Sequence, residues 1–368
     1  MPIACDFRSH VRPNDTALEC QRTGDAALLI TVPCNNCGSS ENVVAFPAGA
    51  AQRYQIVRCA QCQLMYVSPR QQEPEHALIF QHVTEQSTEQ DRQETKRRIE
   101  KERLQVRDYH ATRRNLNKLY PLRGTLLEIG SGFGFLLATF KADGWKVTGV
   151  DPNREACALA RTVNQVDATG GTLETMKFPD RSFDVVIMNH VIEHLPDPLM
   201  TLKEIHRVLN DGGHLLIETP RYDTLMFRLL GRRERSLSCE GHVYFFTNDS
   251  LRKCYETAGF RIVEHRCVGR SLTLNRLAYN FGVMSKSPRF QHMADAVTRA
   301  LRLYRASIYL NVRDMQRVCV QKVPQTTYQM PREDAGLHGK YAGVGSTHPG
   351  AAEICTSDRG DTAVAIAP

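Results

Sequence analysis

From residue 124 to about residue 268, short apolar runs alternate with segments of helical periodicity. The runs TLLEIG, WKVTGVD, FDVVIMN, HLLIETP and RIVEHRCV are typical of strands, and the helical segments between them end at glycines such as Gly144 and Gly259. Strands that alternate with helices indicate a parallel sheet covered by helices. The sequence therefore predicts an α/β fold with a Rossmann-like sheet, to which QRVCVQK (316–322) adds a last strand.

The first predicted strand continues into the glycine loop LLEIGSGFG, with glycines at 130, 132 and 134. Glycines let a ligand approach the main chain, and the helix that follows presents amide donors to it. Glu128, two residues before the first glycine, would repel a pyrophosphate but suits an ammonium or sulfonium cation. Asp151 ends the next strand, from which a carboxylate can bind ribose hydroxyls. S-adenosylmethionine, a nucleoside with a cationic appendage, meets both requirements.

Four motifs together resemble the class I S-adenosylmethionine-dependent methyltransferases in order and spacing over residues 124–268. These are LLEIGSGFG, GVDPN, FPDRSFDVVIMNHVIEHLPDPLMTLKEIHRVLNDGGHLLIETP and GHVYFFTNDSLRKCYETAGF. The resemblance implies a seven-stranded sheet, with Glu128 near the methionine amino group and Asp151 on the ribose. The other cofactor-binding residues that it implies are Gly130, Ser131, Gly132, Gly134, Pro152, Thr172, Leu173 and Asn189.

Two histidines are candidates for the proton transfer that a hydroxyl acceptor requires. His190 ends the fourth strand, and the resemblance implies that it faces the cofactor and the acceptor. His242 lies in a loop after the fifth strand that returns over the carboxyl ends of the strands, and we favour it as the general base. The alternative role for His242 is a structural hydrogen bond that fixes this loop.

The stretch NHVIEHL could also bind a divalent ion, because His190, Glu193 and His194 are spaced to share one helical face. Ubiquinone-biosynthesis O-methyltransferases have a similar stretch that can hold a divalent ion, with a glutamate in place of His190. Because that first ligand differs here, we favour capping and packing roles for Glu193 and His194.

Four cysteines form two C-x2-C pairs, CNNC and CAQC, separated by 21 residues. Two such pairs on tight turns match tetrahedral zinc, and rubredoxin-like iron is the less favoured occupant. The predicted ligands are Cys34, Cys37, Cys59 and Cys62. A closed four-thiolate site predicts a structural role. The segment resembles the zinc-ribbon heads that precede methyltransferases acting on nucleotide-linked sugars or other polar intermediates. Zinc ribbons can also bind nucleic acid or protein.

The predicted organisation along the chain has five parts. They are a loosely ordered arm (1–30), a zinc ribbon (31–73), a helical cap or linker (74–123), a methyltransferase domain (124–325) with a helical insertion at about 276–313, and a disordered tail (326–368).

The net charge of +7 is spread over 368 residues, so no nucleic-acid partner is expected. The first residues lack the apolar core of a signal peptide, and no run approaches the roughly 20 apolar residues of a membrane span, so we expect a cytoplasmic protein. In segment 221–236, apolar side chains alternate with arginines. We favour a lid over the pocket for this segment, and peripheral membrane contact is the alternative.

These observations leave three functional hypotheses. The first is methyl transfer to a small biosynthetic acceptor, such as a sugar or another polar intermediate. The second is methyl transfer at a membrane surface to a lipid-linked or prenylated acceptor. The third is a zinc-ribbon binding protein, or a methyltransferase that modifies a macromolecule. The oligomeric state is open.

Overall fold

The computed structural model of the chain describes residues 29–49, 54–71, 89–231, 237, 241–273 and 307–324. The strands in these residues are β1 (Leu29–Ile30), β2 (Asn42–Phe46), β3 (Ile56–Cys59), β4 (Met65–Val67), β5 (Arg70–Gln71), β6 (Thr125–Ile129), β7 (Lys146–Asp151), β8 (Asp167–Gly170), β9 (Phe183–Asn189), β10 (Leu209–Pro220), β11 (Tyr244–Phe245), β12 (Phe260–Thr273) and β13 (Ser307–Lys322). The helices are α1 (Glu89–Asp108), α2 (His110–Leu119), α3 (Phe135–Ala142), α4 (Arg154–Val163), α5 (Leu173–Met176), α6 (Pro198–Val208), α7 (Leu225–Leu230) and α8 (Asn248–Thr257), with a 3-10 turn at Ile192–His194.

Seven strands form one sheet in the order β12-β13-β10-β9-β6-β7-β8. Strands β6 to β10 pair in parallel, whereas β13 lies antiparallel between β10 and β12. This arrangement confirms the predicted Rossmann-like sheet of seven strands. Because the parallel strands point the same way, their carboxyl ends meet at one edge, and this edge carries the site described below.

Neighbouring side chains of a strand point to opposite faces of the sheet. Because consecutive residues of the central strands are apolar, both faces of the sheet are apolar and buried. Leu126 of β6 belongs to one buried cluster and Leu127 to the other. The same alternation holds in β10, where Leu216 and Ile217 are divided between the two clusters. Continuous apolar runs in the central strands are therefore explained by helices on both faces.

The ends of the helices follow local sequence signals. The Asn153 side chain accepts a hydrogen bond from the Ala156 amide (2.9 Å) at the start of α4. The Thr247 hydroxyl does the same for Ser250 (3.1 Å) at the start of α8. Gly144 and Gly259 follow α3 and α8 with positive φ angles of 96° and 92°, a conformation that favours glycine.

Helix α6 is shorter than its sequence pattern predicts. The pattern extends the helix to Gly212 and Gly213, but α6 ends at Val208 and the chain enters β10 at once. Leu209 is fully buried and pairs with Phe183 of β9, after which a bulge precedes His214. Burial of Leu209 in the sheet explains the early end of the helix.

The cysteine-bearing segment forms a second sheet of four strands in the order β11-β4-β3-β2. Strand β11 comes from the chain that follows β10, and it pairs with β4 through Tyr244 opposite Tyr66 and Phe245 opposite Met65. Both tyrosine side chains are buried in the cluster that also covers one face of the large sheet. The cysteine-bearing segment and the large sheet therefore share a hydrophobic core.

One predicted segment is partly contradicted by the structure, and others lie outside the described residues. The helical insertion expected at about 276–313 is contradicted at its end, because 307–313 are part of β13. There Ser307, Ile308, Tyr309 and Leu310 pair with β12, and this cross-strand pairing suits the β-branched and aromatic side chains of SIYLNV. The predicted arm and tail, apart from Leu29 and Ile30, lie outside the described residues.

The predicted helical cap includes α1 and α2. The part of the expected cap before residue 89 lies outside the described residues. No helix in the described part of the chain has the length and apolar composition needed to span a bilayer.

Candidate functional site

The conformation of the glycine loop depends on close contacts between its backbone and neighbouring residues. The Gly130 amide donates a hydrogen bond to the Val150 carbonyl (2.8 Å), which ties the loop to β7. Gly130, Gly132 and Gly134 have φ angles of 74°, 50° and 74°. A Cβ atom at Gly130 would also overlap the Val191 side chain. The predicted glycines are therefore required by the backbone, and they open the edge of the sheet next to α3.

Glu128 is buried beside this loop, with 5% of its surface exposed. Burial raises the pKa of its carboxyl group well above the usual range, and the nearby carboxylates of Glu102 and Asp151 raise it further. Its Oε2 atom has no hydrogen-bond partner among the described residues. A buried acceptor of this kind calls for a cationic or hydrogen-bond-donating ligand group.

Asp151 links the glycine loop to the second strand of the site. Its carboxylate accepts hydrogen bonds from the amides of Gly132 (2.8 Å) and Asn153 (2.8 Å). Burial raises the pKa of this carboxyl group, although the two amide hydrogen bonds oppose the rise. Asp151 is thus fixed at the edge of the sheet, with Pro152 next to it in the chain.

The carboxyl end of β8 lies next to that of β7. The Gly171 amide donates to the Asp151 carbonyl (2.9 Å), and Thr172 follows as the N-cap of α5. Leu173 is buried under this turn. The structure therefore places Thr172 and Leu173 close to Asp151, at the carboxyl edge of the sheet.

Helix α1 supplies contacts that the sequence pattern does not identify. Glu102 accepts a hydrogen bond from the Phe133 amide through its Oε2 atom (3.0 Å), and the Arg98 guanidinium lies over the Phe133 ring, 5.5 Å from its centroid. Beyond the end of α1, the Tyr109 hydroxyl donates a hydrogen bond to Asn189 Oδ1. The charged composition of α1 hides these roles, because solvent-exposed helices have the same pattern.

His190 directly follows β9 and has a left-handed backbone conformation, with φ of 52°. Its Nδ1 atom lies 3.5 Å from Glu193 Oε1, and its Nε2 atom lies 3.5 Å from Glu218 Oε1. Burial lowers the pKa of the imidazole, but the two carboxylates outweigh burial and raise it above its usual range. The two carboxylates thus favour the protonated form of His190 more than in a free imidazole.

Glu218 is held on its other side by Arg317 of β13. The Arg317 Nε atom donates to Glu218 Oε2 (2.7 Å), and its Nη1 atom donates to the Thr112 hydroxyl (2.7 Å). The guanidinium also lies 3.8 Å from the centroid of the Tyr109 ring. Although burial alone would raise it, Arg317 and His190 lower the pKa of Glu218 to about 2. This buried network joins the helical cap to the end of β9.

Glu193, His194 and His242 form a compact group whose ligand atoms all lie within 4.8 Å of one another. Glu193 is fully buried, and its Oε2 atom accepts a hydrogen bond from the Thr219 hydroxyl (2.8 Å). Burial alone would raise the pKa of Glu193, but the neighbouring histidines lower it to about 2. One carboxylate beside two imidazoles can hold a proton or a cation.

The position of His242 follows from several contacts. Its ring lies 4.7 Å from that of His194, centroid to centroid, and its Nδ1 atom lies 3.4 Å from the Tyr222 hydroxyl. The next residue, Val243, donates its amide to the Glu193 carbonyl (2.9 Å). The structure therefore brings His242 next to the loop that follows β9.

The four predicted metal-binding cysteines converge, with all four sulfur atoms within 4.8 Å of one another. The Sγ atoms of Cys34 and Cys62 are 3.3 Å apart, and those of Cys37 and Cys59 are 3.5 Å apart. A tetrahedral zinc with Zn–S bonds of about 2.3 Å would separate its sulfur ligands by about 3.8 Å. The donor set and its dimensions therefore fit zinc.

Both cysteine turns have the same backbone hydrogen-bonding pattern. The Gly38 amide donates to the Cys34 carbonyl (2.8 Å), and the Gln63 amide donates to the Cys59 carbonyl (3.2 Å). Gly38 and Gln63 have φ angles of 71° and 63°. Each turn thus reverses four residues after its first cysteine and directs two thiols to a common point.

The sequence of the central region is similar to that of known enzymes. Residues 97–265 match a family described as "Methyltransferase domain". The chain is similar to the ubiquinone/menaquinone biosynthesis C-methyltransferase UbiE of Bradyrhizobium diazoefficiens, at 30% identity over 38% of this chain and 64% of that protein. It is also similar to the demethylmenaquinone methyltransferase of Chlorobaculum tepidum, at 38% identity over 26% of this chain and 40% of that protein.

A third relative is the ubiquinone biosynthesis O-methyltransferase of Nitrosomonas europaea, at 32% identity over 26% of this chain and 43% of that protein. The chain therefore spans 40 to 64% of the length of these three relatives. The family match at residues 97–265 includes the glycine loop, Asp151 and the end of β9.

Proposed function

We propose that the chain, whose residues 97–265 match a family described as "Methyltransferase domain", transfers a methyl group from S-adenosylmethionine to a small biosynthetic acceptor. The observation that carries this proposal is Glu128, a buried carboxylate with an unpartnered Oε2 atom beside a glycine loop. When bound, S-adenosylmethionine supplies an electrophilic methyl group on a sulfonium. Glu128 would bind its ammonium group, the loop amides would approach its amino-acid end, and Asp151 would bind its ribose.

The acceptor side of the pocket is built from the end of β9 and the loop after β10. His242 would accept the proton of a hydroxyl acceptor, and the buried Glu193 carboxylate nearby would stabilise the resulting imidazolium. His190 would serve a different purpose, because its contacts with Glu193 and Glu218 favour the cationic form. We therefore assign general-base catalysis to His242 and a positioning role to His190.

The relatives described above are named for ubiquinone and menaquinone biosynthesis, and none of these three names mentions a sugar. This favours a quinone-type precursor over the sugar acceptor considered from the sequence. Such an acceptor offers a hydroxyl oxygen or a ring carbon as the nucleophile. In either case the acceptor must lose a proton, so the role of His242 is the same.

A second candidate function is methyl transfer to a lipid-linked acceptor at a membrane surface. It is favoured by α7, whose side chains of Leu225 and Leu229 are 72% and 73% exposed. Exposed leucines on a short helix can insert between lipid headgroups. Co-sedimentation with anionic liposomes distinguishes the candidates, since Leu225→Ser with Leu229→Ser would abolish binding only if α7 contacts the membrane.

We also propose that the cysteine quartet holds one structural zinc ion. Strand β4 of the ribbon pairs with β11, and the Val67 amide donates to the Val243 carbonyl (2.9 Å), next to His242. A metal that fixes the ribbon would therefore also fix the loop that carries the proposed base.

Asp151→Ala should weaken binding of S-adenosylhomocysteine by about ten- to a hundred-fold, because charge-assisted hydrogen bonds to the ribose are lost. Isothermal titration calorimetry measures this effect. Asp167→Ala is the matched control, since this exposed aspartate lies at the start of β8, away from the carboxyl edge of the sheet. Unchanged affinity in Asp151→Ala would contradict the assignment of the cofactor site.

His242→Ala should lower turnover of a hydroxyl acceptor by about 10²–10⁴-fold, the usual contribution of a general base. Its affinity for S-adenosylhomocysteine should stay close to that of the wild type. The control is His110→Ala, which removes an exposed imidazole at the start of α2. Near-normal turnover in His242→Ala would remove the base assignment and favour a loop-fixing role.

The zinc proposal predicts one zinc ion per chain by elemental analysis. Cys34→Ser should lose the metal, lower the melting temperature and reduce turnover, because the ribbon supports β11. Cys319→Ser is the matched control, since Cys319 is a free cysteine of β13 outside the quartet. Purified wild-type protein that contains no stoichiometric metal, or that contains iron instead, would contradict the proposal.

A further inference from the structure

Helix α1 contacts the pocket at two separated points. Glu102 binds the Phe133 amide in the glycine loop through Oε2 (3.0 Å). At the end of the helix, Asp108 accepts hydrogen bonds from the amide (2.8 Å) and the hydroxyl (2.5 Å) of Ser271, and Tyr109 donates to Asn189. The helix thus extends along the carboxyl edge of the sheet from the glycine loop to the end of β9.

The amide that Glu102 occupies is one that a ligand carboxylate would use. Phe133 precedes α3, and free amides at this end of a helix attract anions. A Cβ atom at Gly132 would overlap Glu102 Oε1, so the glutamate fills space that the glycine leaves open. A carboxylate of the protein itself is therefore seated in the loop that should receive the amino-acid end of the cofactor.

The three carboxyl groups in this arrangement repel one another when they are ionised. Besides burial, the carboxylates of Glu102 and Asp151 both raise the pKa of the buried Glu128. Glu128 Oε2 is buried and has no hydrogen-bond partner among the described residues. An amino acid brings both an ammonium group for Glu128 and a carboxylate for the loop amides, so its binding would satisfy Glu128 while it competes with Glu102.

We propose that Glu102 is a built-in competitor of the cofactor carboxylate, and that α1 acts as a lid which the cofactor displaces from the glycine loop. This inference rests on the proposed function. Because α1 is also attached at Ser271 and, through Tyr109, at Asn189, displacement at one end alters the acceptor side of the pocket. The device would open the acceptor side only after the cofactor has bound.

The test compares two ligands in four forms of the full-length protein by calorimetry. The ligands are S-adenosylhomocysteine, which has the amino-acid end, and 5′-methylthioadenosine, which lacks it. The proteins are the wild type, Glu102→Gln, Glu102→Ala and the control Glu100→Gln, which changes an exposed glutamate on the same helix. Thermal melting verifies that each variant is folded.

Glu102→Gln and Glu102→Ala should bind S-adenosylhomocysteine about ten-fold more tightly than the wild type, since a charge-assisted hydrogen bond no longer competes. Neither variant should change the affinity for methylthioadenosine, and Glu100→Gln should change neither affinity.

Equal or weaker binding of S-adenosylhomocysteine by both Glu102 variants would overturn the inference and leave the proposed function standing. An equal gain for both ligands would also overturn it, because the competition would not involve the carboxylate. If no form of the protein bound either ligand, the proposed function would fail and the inference with it.

Discussion

The buried ion pair between Arg317 and Glu218 is the interaction on which the architecture of the pocket depends. Glu218 lies near the carboxyl end of β10, where its side chain also faces His190 and its carbonyl accepts the His190 amide (2.8 Å). Arg317 comes from the antiparallel strand β13 and reaches Tyr109 and Thr112 of the helical cap. A buried charge that loses its partner is strongly destabilising, so this pair holds the sheet, the cap and the left-handed turn at His190 in one arrangement.

The ribbon sheet acts on the other side of the same pocket. Strand β11 is shared between the ribbon and the chain that carries His242, and Val243 is hydrogen-bonded to both Val67 and Glu193. The proposed metal site and the proposed base are thus connected by two backbone hydrogen bonds. A structural metal bound by the cysteine quartet would therefore support the loop that carries the proposed base.

The sequence predicts those features that depend on local patterns. The succession of strands and helices, the glycine loop and the cysteine turns follow from periodicity, spacing and turn chemistry, and the structure has a mostly parallel sheet and a convergent cysteine quartet. Glu102, Tyr109 and Arg317 could not be predicted, because their roles depend on how a charged helix and an antiparallel strand pack against the pocket. The extension of β13 to Ser307 was missed for the same reason, since its pairing partner is fixed only by tertiary structure.

The central claim is that Glu128 receives the cationic end of the cofactor. Burial raises the pKa of Glu128, so in the ligand-free protein it tends to retain its proton, and an arriving ammonium group should lower that pKa. The most direct measurement is calorimetry of S-adenosylhomocysteine binding near neutral pH in two buffers of different ionisation enthalpy. We expect proton release on binding in the wild type and the loss of this release in Glu128→Gln. Binding of equal affinity in both proteins, with no difference in proton release, would contradict it.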